Sequence, residues 1–220
     1  MSSKIVHLVT GANRGIGYGL VNVLATRPNA VVFAANNEAA VAEIKTEVGQ
    51  LDVVIANAGL GYFTGTLSTT PLSSFTEHWQ VNTLGTVVLF QAAQDLLLAS
   101  PTGAPIFAYI STDLGSIGAF VNFSGSAYGA SKAASNYLIK VLNAEHPSLI
   151  AMAISPGWVA TDMGTNAAAY HGLQQAPITL EDSVEGILQR VDGATKEKSS
   201  GRFWDYKAKP ENDMAEERPW

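Results

Sequence analysis

A glycine-rich turn near the N-terminus constrains the fold of this chain more than any other feature. The apolar run "KIVHLVT" (residues 4–10) passes directly into "GANRGIG", where Gly11, Gly15 and Gly17 open a helix-like stretch. A strand that runs through such a turn into a helix directs backbone N–H groups and the positive end of the helix dipole at one point. That arrangement suits the phosphates of a dinucleotide. A turn that merely ends the strand is the alternative, but the position between strand and helix favours nucleotide binding.

Short apolar runs rich in β-branched residues alternate with longer helix-like stretches along the chain. Because most of these runs are continuously apolar, they indicate strands that are covered on both faces. The alternation is typical of a doubly wound parallel α/β sheet, a Rossmann-like fold, in a single domain over residues 1–220. The polar stretch "KAKPENDMAEERPW" (207–220) is expected to lie over the surface. The predicted strands are 4–10, 30–35, 52–57, 105–111, 149–155 and 201–204, and the predicted helices are 15–26, 38–48, 73–99, 126–144 and 180–191.

The composition argues against several kinds of partner and site. With 13 basic and 19 acidic residues, the chain has a net charge of −6, which disfavours nucleic acid and anionic membranes as partners. It has no cysteine, so thiolate metal sites are excluded, and its four histidines are too scattered to suggest a metal site. No apolar run reaches the ~18 residues of a membrane span, and the first residues lack the apolar core of a signal peptide. We therefore expect a cytoplasmic protein without a metal centre.

Six motifs together resemble those of the short-chain dehydrogenase/reductase family, in the order that the family has them. The glycine turn, with three residues between its first two glycines, has the spacing of that family. The other five motifs are "NAG" (57–59), "VNTLG" (81–85), "STDLGS" (111–116), "YGASK" (128–132) and "PGWVATDM" (156–163). The resemblance implies an NAD(P)-dependent enzyme that reduces a ketone or aldehyde by hydride transfer. Two later stretches, "GLQQAPITLEDSVEGIL" and "SGRFWDY", resemble more narrowly the fungal carbonyl reductases of the polyketide ketoreductase type.

Tyr128 and Lys132 lie four positions apart, so both side chains are expected on one face of a helix. From the spacing alone, an exposed helix face is the ordinary alternative. The resemblance implies that Tyr128 is the catalytic acid and base, and that Lys132 assists it and bonds the ribose of the nicotinamide. The pKa of a tyrosine, ~10, must fall by about 3 units for ready proton exchange near neutrality, which is about 4 kcal/mol. Because an ammonium group ~4–6 Å away supplies about 3–4 kcal/mol at an effective dielectric constant of about 20, we expect Lys132 to lower the pKa of Tyr128.

Two further positions complete the expected catalytic set. Asn82 lies within a long helical stretch, although asparagine is a poor helix former. A solvated polar residue is the alternative there, while the resemblance implies that Asn82 holds a water linked to the catalytic lysine. The family also places a polarising hydroxyl three residues before a glycine. Counting back from Gly115 gives Thr112, with Ser111 as the alternative.

The cofactor is expected beyond the carboxyl ends of the strands. An NAD site commonly has an acidic residue at the end of the second strand. Here that strand ends in Asn36 and Asn37, and Arg14 in the glycine turn is placed to meet a 2′-phosphate. NADP(H) is therefore favoured over NAD(H). The expected cofactor-binding residues are Gly11, Asn13, Arg14, Gly15, Ile16, Gly17, Asn36, Asn57, Ala58, Gly59, Tyr128, Lys132, Pro156, Gly157, Val159 and Thr161.

The substrate is expected to meet the stretch 163–179, which we interpret as a lid, with an ordinary surface loop as the alternative. Apolar side chains at Phe120, Trp158 and Tyr170 suit a lipophilic or aromatic carbonyl compound. The two longest predicted helices resemble those that pair subunits in the family, so a homodimer or homotetramer is expected.

The connection after the second strand is unusually short. Only residues 36–51 separate it from "DVVIANAG", which is enough for one crossover helix. The family has a further helix and edge strand here, so the chain lacks about one βα unit, ~30 residues. Such a loss exposes a different edge of the sheet and removes a wall of the adenine pocket. A shortened product that folds poorly and a non-catalytic dinucleotide-binding regulatory protein are the alternatives to a carbonyl reductase. The joint presence of Asn82, Tyr128 and Lys132 favours the enzyme.

Overall fold

One mixed sheet with helices on both faces carries the fold. Its strands are β1 (Ile5–Thr10), β2 (Ala30–Ala35), β3 (Val53–Ala56), β4 (Ile106–Ile110), β5 (Ile150–Ser155), β6 (Phe203–Asp205) and β7 (Glu217–Arg218). The computed structural model describes residues 4–35, 38–62, 65–207 and 217–220. Within these ranges the strands lie in the order β2-β1-β3-β4-β5-β6-β7, and only β7 runs antiparallel to its neighbour. The predicted doubly wound parallel sheet is thereby confirmed.

The helices cover both faces of this sheet and enclose two hydrophobic cores. They are α1 (Gly15–Ala25), α2 (Glu38–Glu47), α3 (Leu72–His78), α4 (Gly85–Leu98), α5 (Ser126–Glu145), α6 (Asp162–Tyr170), α7 (Leu180–Asp192) and α8 (Lys196–Ser199). In β1, Leu8 faces one core and Val9 faces the other. Because both faces of the strand are covered, its sequence is continuously apolar. The site described below lies where β1, β3 and β4 end.

The predicted helix over 73–99 is continuous but not uniform. A π-helical segment, Trp79–Leu84, joins α3 to α4, and Asn82 lies inside it. The run Leu72–Leu98 has the length and mean hydropathy, 1.2, of a membrane span, whereas from the sequence we expected no such stretch. It contributes Phe90, Leu96 and Leu97 to one of the two cores, as a core helix does.

The last residues differ from the sequence-based expectation. We expected 207–220 to lie over the surface, but Glu217–Arg218 forms β7 against β6, and Trp220 packs against a hydrophobic core. The polar composition of the stretch did not indicate a strand, because Trp220 is the aromatic residue that attaches it to the core. Two short helices, α6 and α8, were also not predicted.

The sheet ends at β2 among the described residues, as the short connection predicts. Helix α2 leads from β2 to β3, and β3 pairs with the opposite side of β1. The order of the strands therefore reverses at β1, and the crevice beyond the ends of β1 and β3 is where such sheets bind ligands.

Candidate active site

The glycine turn after β1 has the backbone that only glycine adopts readily. Gly11 and Gly15 have φ values of 65° and 55°, in the left-handed region. Gly17 is required for a different reason: a methyl group there would lie 2.4 Å from the carbonyl oxygen of Gly11. The turn is thus closed tightly onto the start of α1, and the first N–H groups of a helix are the donors that a phosphate site uses.

Hydrogen bonds lock this turn to the end of β3. The Thr10 hydroxyl accepts from the backbone N–H groups of Asn57, at 3.1 Å, and Ala58, at 3.0 Å. The Asn57 amide donates in return to the carbonyl of Thr10, at 2.9 Å, and to that of Gly11, at 3.3 Å. Asn57 therefore ties two strands together, and a direct contact between it and a cofactor stays a prediction.

Tyr128 lies in the first turn of α5, and Lys132 lies one turn later on the same helix. The lysine Nζ is 5.9 Å from the centre of the Tyr128 ring and donates a 2.8 Å hydrogen bond to the carbonyl of Ile110, the last residue of β4. A methyl group on Gly59 would lie 3.4 Å from Nζ. The small residue keeps the space above the lysine open.

Asn82 is fully buried and joins three elements. Its amide donates to the Leu60 carbonyl, at 2.8 Å, and to the Ser131 hydroxyl, at 2.9 Å, while its Oδ1 accepts from the Leu60 N–H, at 2.7 Å. Ser131 in turn donates to the carbonyl of Tyr128. The π-helical segment leaves the Asn82 carbonyl open to the hydroxyl of Ser135, at 3.0 Å. Asn82 is therefore bonded to α5 within one turn of both Tyr128 and Lys132.

The two candidate hydroxyls point in different directions. Ser111 is buried and donates to Asn136 Oδ1, at 2.7 Å, which fixes it against the inner face of α5. Thr112 hydrogen-bonds the side chain of Tyr128. The geometry thus brings Thr112, rather than Ser111, to the tyrosine.

The pKa values of the pair are shifted by burial. Burial raises the pKa of Tyr128 to about 12, an effect that the Thr112 hydrogen bond partly offsets. Burial lowers the pKa of Lys132 to about 7. The expectation that the lysine lowers the pKa of the tyrosine is therefore wrong for the protein's own groups. A buried lysine that is half neutral at pH 7 supplies less than a full positive charge, and removal from water dominates both groups.

The segment from Pro156 to Thr161 lies against the glycine turn. A methyl group on Gly15 would lie 3.4 Å from Thr161 Cγ2. The Thr161 hydroxyl caps α6 by accepting from Gly164 N–H. Val159 is buried and bridges to Ile178. This segment therefore lies beside the glycine turn, and a contact between its residues and a cofactor stays a prediction.

The predicted lid divides into a helix and a loop. Residues 162–170 form α6, and the loop that follows returns to Val159 through Ile178. The His171 ring lies 3.8 Å from that of Phe123, and Tyr170 is half exposed. Whether this segment closes over a substrate stays a prediction.

Of the remaining predicted cofactor residues, three lie in or next to the glycine turn and Gly157 follows β5. Asn13 and Arg14 are exposed in the glycine turn, and Ile16 is half-buried in the first turn of α1. Gly157 has a φ of 75° and packs closely on Ile178. Asn36 lies outside the described residues.

Two residues near Tyr128 were missed by sequence reasoning. Ser131 was treated only as a small residue that leaves room, yet it connects Asn82 to Tyr128. His78 was taken as an ordinary histidine, yet it is fully buried with its ring 6.1 Å from that of Tyr128. Its Nδ1 donates to the Ser74 carbonyl at 2.7 Å. The spacing of four residues between His78 and Asn82 on one helix was the available signal.

Comparison with known proteins gives concordant results. The family model described as short chain dehydrogenase matches residues 34–171. The norsolorinic acid ketoreductase of Aspergillus parasiticus is 37% identical over 91% of this chain and 88% of its own length. That of Dothistroma septosporum is 35% identical over 92% of this chain and 90% of its own length. The NADPH-bound carbonyl reductase from chicken fatty liver covers 99% of this chain and 100% of its own, with 25% identity and a TM-score of 0.81.

One of these alignments is longer than this chain. The alignment with the Dothistroma protein extends over 240 positions, more than the 220 residues of this chain. The relative therefore has residues that have no counterpart here.

Proposed function

From the premise that this chain belongs to the short chain dehydrogenase family, and is therefore an NAD(P)-dependent oxidoreductase, we propose that it reduces a ketone or aldehyde to an alcohol with NADPH. The observation that carries the proposal is the meeting of Asn82, Thr112, Tyr128 and Lys132 beside the glycine turn. The glycine turn, the open α1 terminus and the space above Gly59 fit a dinucleotide. When bound, the cofactor supplies the hydride.

The proton is supplied by Tyr128. A phenol with a pKa of about 12 is fully protonated at neutral pH, as a proton donor to a carbonyl oxygen must be. Loss of that proton at pH 7 costs about 7 kcal/mol, so the developing tyrosinate needs positive charge nearby. Lys132, whose pKa burial lowers to about 7 and whose Nζ lies 5.9 Å from the centre of the Tyr128 ring, is placed to provide it. Thr112 orients the carbonyl oxygen.

The preference for NADP(H) is part of the proposal. Arg14 is exposed in the glycine turn, where its guanidinium group would bind the 2′-phosphate of NADPH. We expect Arg14→Gln to weaken NADPH binding about 10-fold and to leave NADH binding unchanged. Calorimetry with both cofactors measures this, and equal weakening of both would contradict a phosphate contact.

The substrate is proposed to be a lipophilic or aromatic ketone. Ile117 and Phe120 are exposed on the loop that follows Thr112, and Tyr170 and Leu173 are exposed at the end of α6 and just after it. Such apolar groups suit an apolar ligand. The fungal relatives named above as norsolorinic acid ketoreductases support this choice.

The enzyme is further proposed to be a cytoplasmic homodimer or homotetramer. The helices α4 and α5 and the π-helical segment expose apolar side chains that a second subunit would cover: Trp79, Leu84, Val88 and Tyr137.

Cofactor binding and turnover test the proposed function directly. NADPH and NADH are titrated by calorimetry, and NADPH oxidation is then followed with a panel of aryl ketones. Tyr128→Phe should retain NADPH binding and lose about 10²–10⁴-fold in kcat. Tyr137→Phe, on the same helix but exposed, is the matched control and should retain turnover. NADPH binding without turnover on any ketone would favour the regulatory protein instead.

A further inference from the structure

Residues 217–220, here called the clasp segment, lie against residues 111–118, here called the hydroxyl loop because it carries Thr112. The Ser116 hydroxyl donates to the Pro219 carbonyl at 2.6 Å, and the Gly118 N–H donates to the Trp220 carbonyl at 2.7 Å. A methyl group on Gly118 would lie 2.9 Å from Pro219 Cβ. The two segments are thus in contact along their backbones.

An ion pair between Arg218 and Asp113 connects the clasp segment to the hydroxyl loop next to Thr112. Arg218 hydrogen-bonds the carboxylate of Asp205 in β6, and its Nε lies 3.5 Å from Oδ1 of Asp113. Because Asp113 directly follows Thr112, one guanidinium group links the hydroxyl loop to the sheet.

The clasp segment is itself anchored independently of the hydroxyl loop. Glu217 forms a 2.6 Å ion pair with Arg202. The Trp220 ring lies 5.7 Å from that of Phe203, and its centre is 4.9 Å from the ammonium group of Lys140. These contacts attach the segment to β6 and to α5.

The other side of the hydroxyl loop contacts α5, the helix that carries Tyr128 and Lys132. The Asn136 amide donates to the Gly115 carbonyl at 3.1 Å. A methyl group on Gly115 would lie 3.0 Å from Lys132 Cβ. The loop is therefore confined between α5 on one side and the clasp segment on the other.

We propose that the clasp segment positions the Thr112 hydroxyl for the carbonyl of the substrate, with Arg218 as the positioning residue. The inference rests on the proposed function, because it concerns the orientation of a group in that reaction. Loss of the link at Asp113 removes the clasp contact next to Thr112 and leaves those at Ser116 and Gly118, and a small displacement of an oriented hydroxyl lowers the rate steeply.

The test compares two substitutions in the same two-residue strand. Arg218→Gln removes the links to Asp113 and to Asp205. Glu217→Gln breaks the ion pair that attaches the clasp segment to Arg202. We expect Arg218→Gln to lower kcat for an aryl ketone about 10-fold while KM for NADPH stays within twofold. Arg218→Lys should recover part of the loss. Glu217→Gln should stay within twofold of the native kcat.

Hydrogen exchange separates this proposal from the proposed function. In Arg218→Gln the backbone amides of residues 113–118 should exchange faster than in Glu217→Gln, whether or not a ketone is turned over. Ser116→Ala, which removes one hydrogen bond from the loop side, serves as a second variant if Arg218→Gln does not fold. If the native chain turned over no ketone but exchange at residues 113–118 were still faster in Arg218→Gln, the proposed function would be rejected and the contact between the clasp segment and the hydroxyl loop would be retained. If Arg218→Gln and Glu217→Gln showed equal exchange at these residues, or lost kcat equally, the positioning role of Arg218 would be rejected.

Discussion

Thr112 and Ser111 are adjacent, but of the two hydroxyls only that of Thr112 hydrogen-bonds Tyr128. Because Ser111 is bonded to Asn136 and Thr112 to Tyr128, we expect Thr112→Val to lower kcat/KM about 10²-fold. Thr112→Ser keeps the hydroxyl and should stay close to the native value. Steady-state kinetics with one aryl ketone measures both.

Ser111→Ala is the matched control for that substitution. It should leave kcat/KM within a few-fold and lower the free energy of unfolding by about 1–3 kcal/mol, because Asn136 loses a buried partner. If Ser111→Ala abolished turnover while Thr112→Val did not, the polarising hydroxyl would be Ser111.

Lys132 makes stability depend on pH in a predictable direction. Its pKa is about 7 in the folded chain and ~10.4 in the unfolded one, so the unfolded state binds more protons between these values. Stability therefore rises with pH through this window and gains about 2 kcal/mol between pH 7 and 9. The raised pKa of Tyr128 makes stability fall with rising pH, but only from about pH 10, where an unfolded tyrosine begins to ionise. The interval from about pH 7 to 9 therefore reports Lys132.

The variant Lys132→Met isolates this contribution. Urea titrations should show that the native chain gains about 2 kcal/mol relative to the variant between pH 7 and 9. Lys45→Met, which removes an exposed lysine from α2, controls for the loss of one positive charge. A difference between Lys132→Met and the native chain that does not change with pH would mean that the folded protein keeps this lysine charged.

The sequence predicts which residues meet at this site better than it predicts how they are charged. Tyr128, Lys132 and Asn82 follow from motif order and helical spacing. The direction of the tyrosine pKa does not, because burial is a property of the packed fold and here exceeds the effect of a lysine one turn away.

At the scale of elements, the close approach of α1 to the glycine turn predicts that Gly17 tolerates no larger residue. A methyl group on Gly17 would meet the Gly11 carbonyl at 2.4 Å, and a backbone atom cannot move aside as a side chain can. We expect Gly17→Ala to abolish measurable NADPH binding and to lower the thermal midpoint. Calorimetry and thermal unfolding measure the two effects.

A second helical glycine provides the control. Gly85, exposed at the start of α4, has a helical backbone, and a methyl group there would meet nothing closer than 3.6 Å. Gly85→Ala should therefore raise the free energy of unfolding by about 0.5–1 kcal/mol. If Gly17→Ala behaved like Gly85→Ala, the tight turn would not be a requirement of the site.

Elements whose apolar pattern is local were predictable, and those that depend on distant partners were not. Strands β1 to β5 have continuous apolar runs and were located to within one or two residues. Strand β7 has two charged residues and exists because Trp220 and β6 hold it in place. The π-helical segment was likewise invisible as an element, although Asn82 marked the position where a helix is disfavoured.

At the scale of the whole molecule, β2 forms one edge of the sheet among the described residues. Its sequence, "AVVFAA", has no charged residue and no proline, the features by which edge strands avoid pairing with other chains. We expect the native chain to self-associate with rising concentration, as measured by light scattering after size-exclusion chromatography. Ala34→Lys should reduce that association, because Ala34 is exposed on β2 and a lysine there opposes strand addition.

Ala144→Lys separates an effect of the edge from an effect of charge. Ala144 is exposed on α5, so this variant has the same net charge as Ala34→Lys and an unaltered strand. If both variants reduce association equally, the edge is not responsible. If only Ala34→Lys does so and the thermal midpoint is unchanged, the exposed edge of β2 causes the association. Association through β2 would then involve an element on the far side of β1 from Tyr128, so a loss of solubility would leave the proposed active site unaltered.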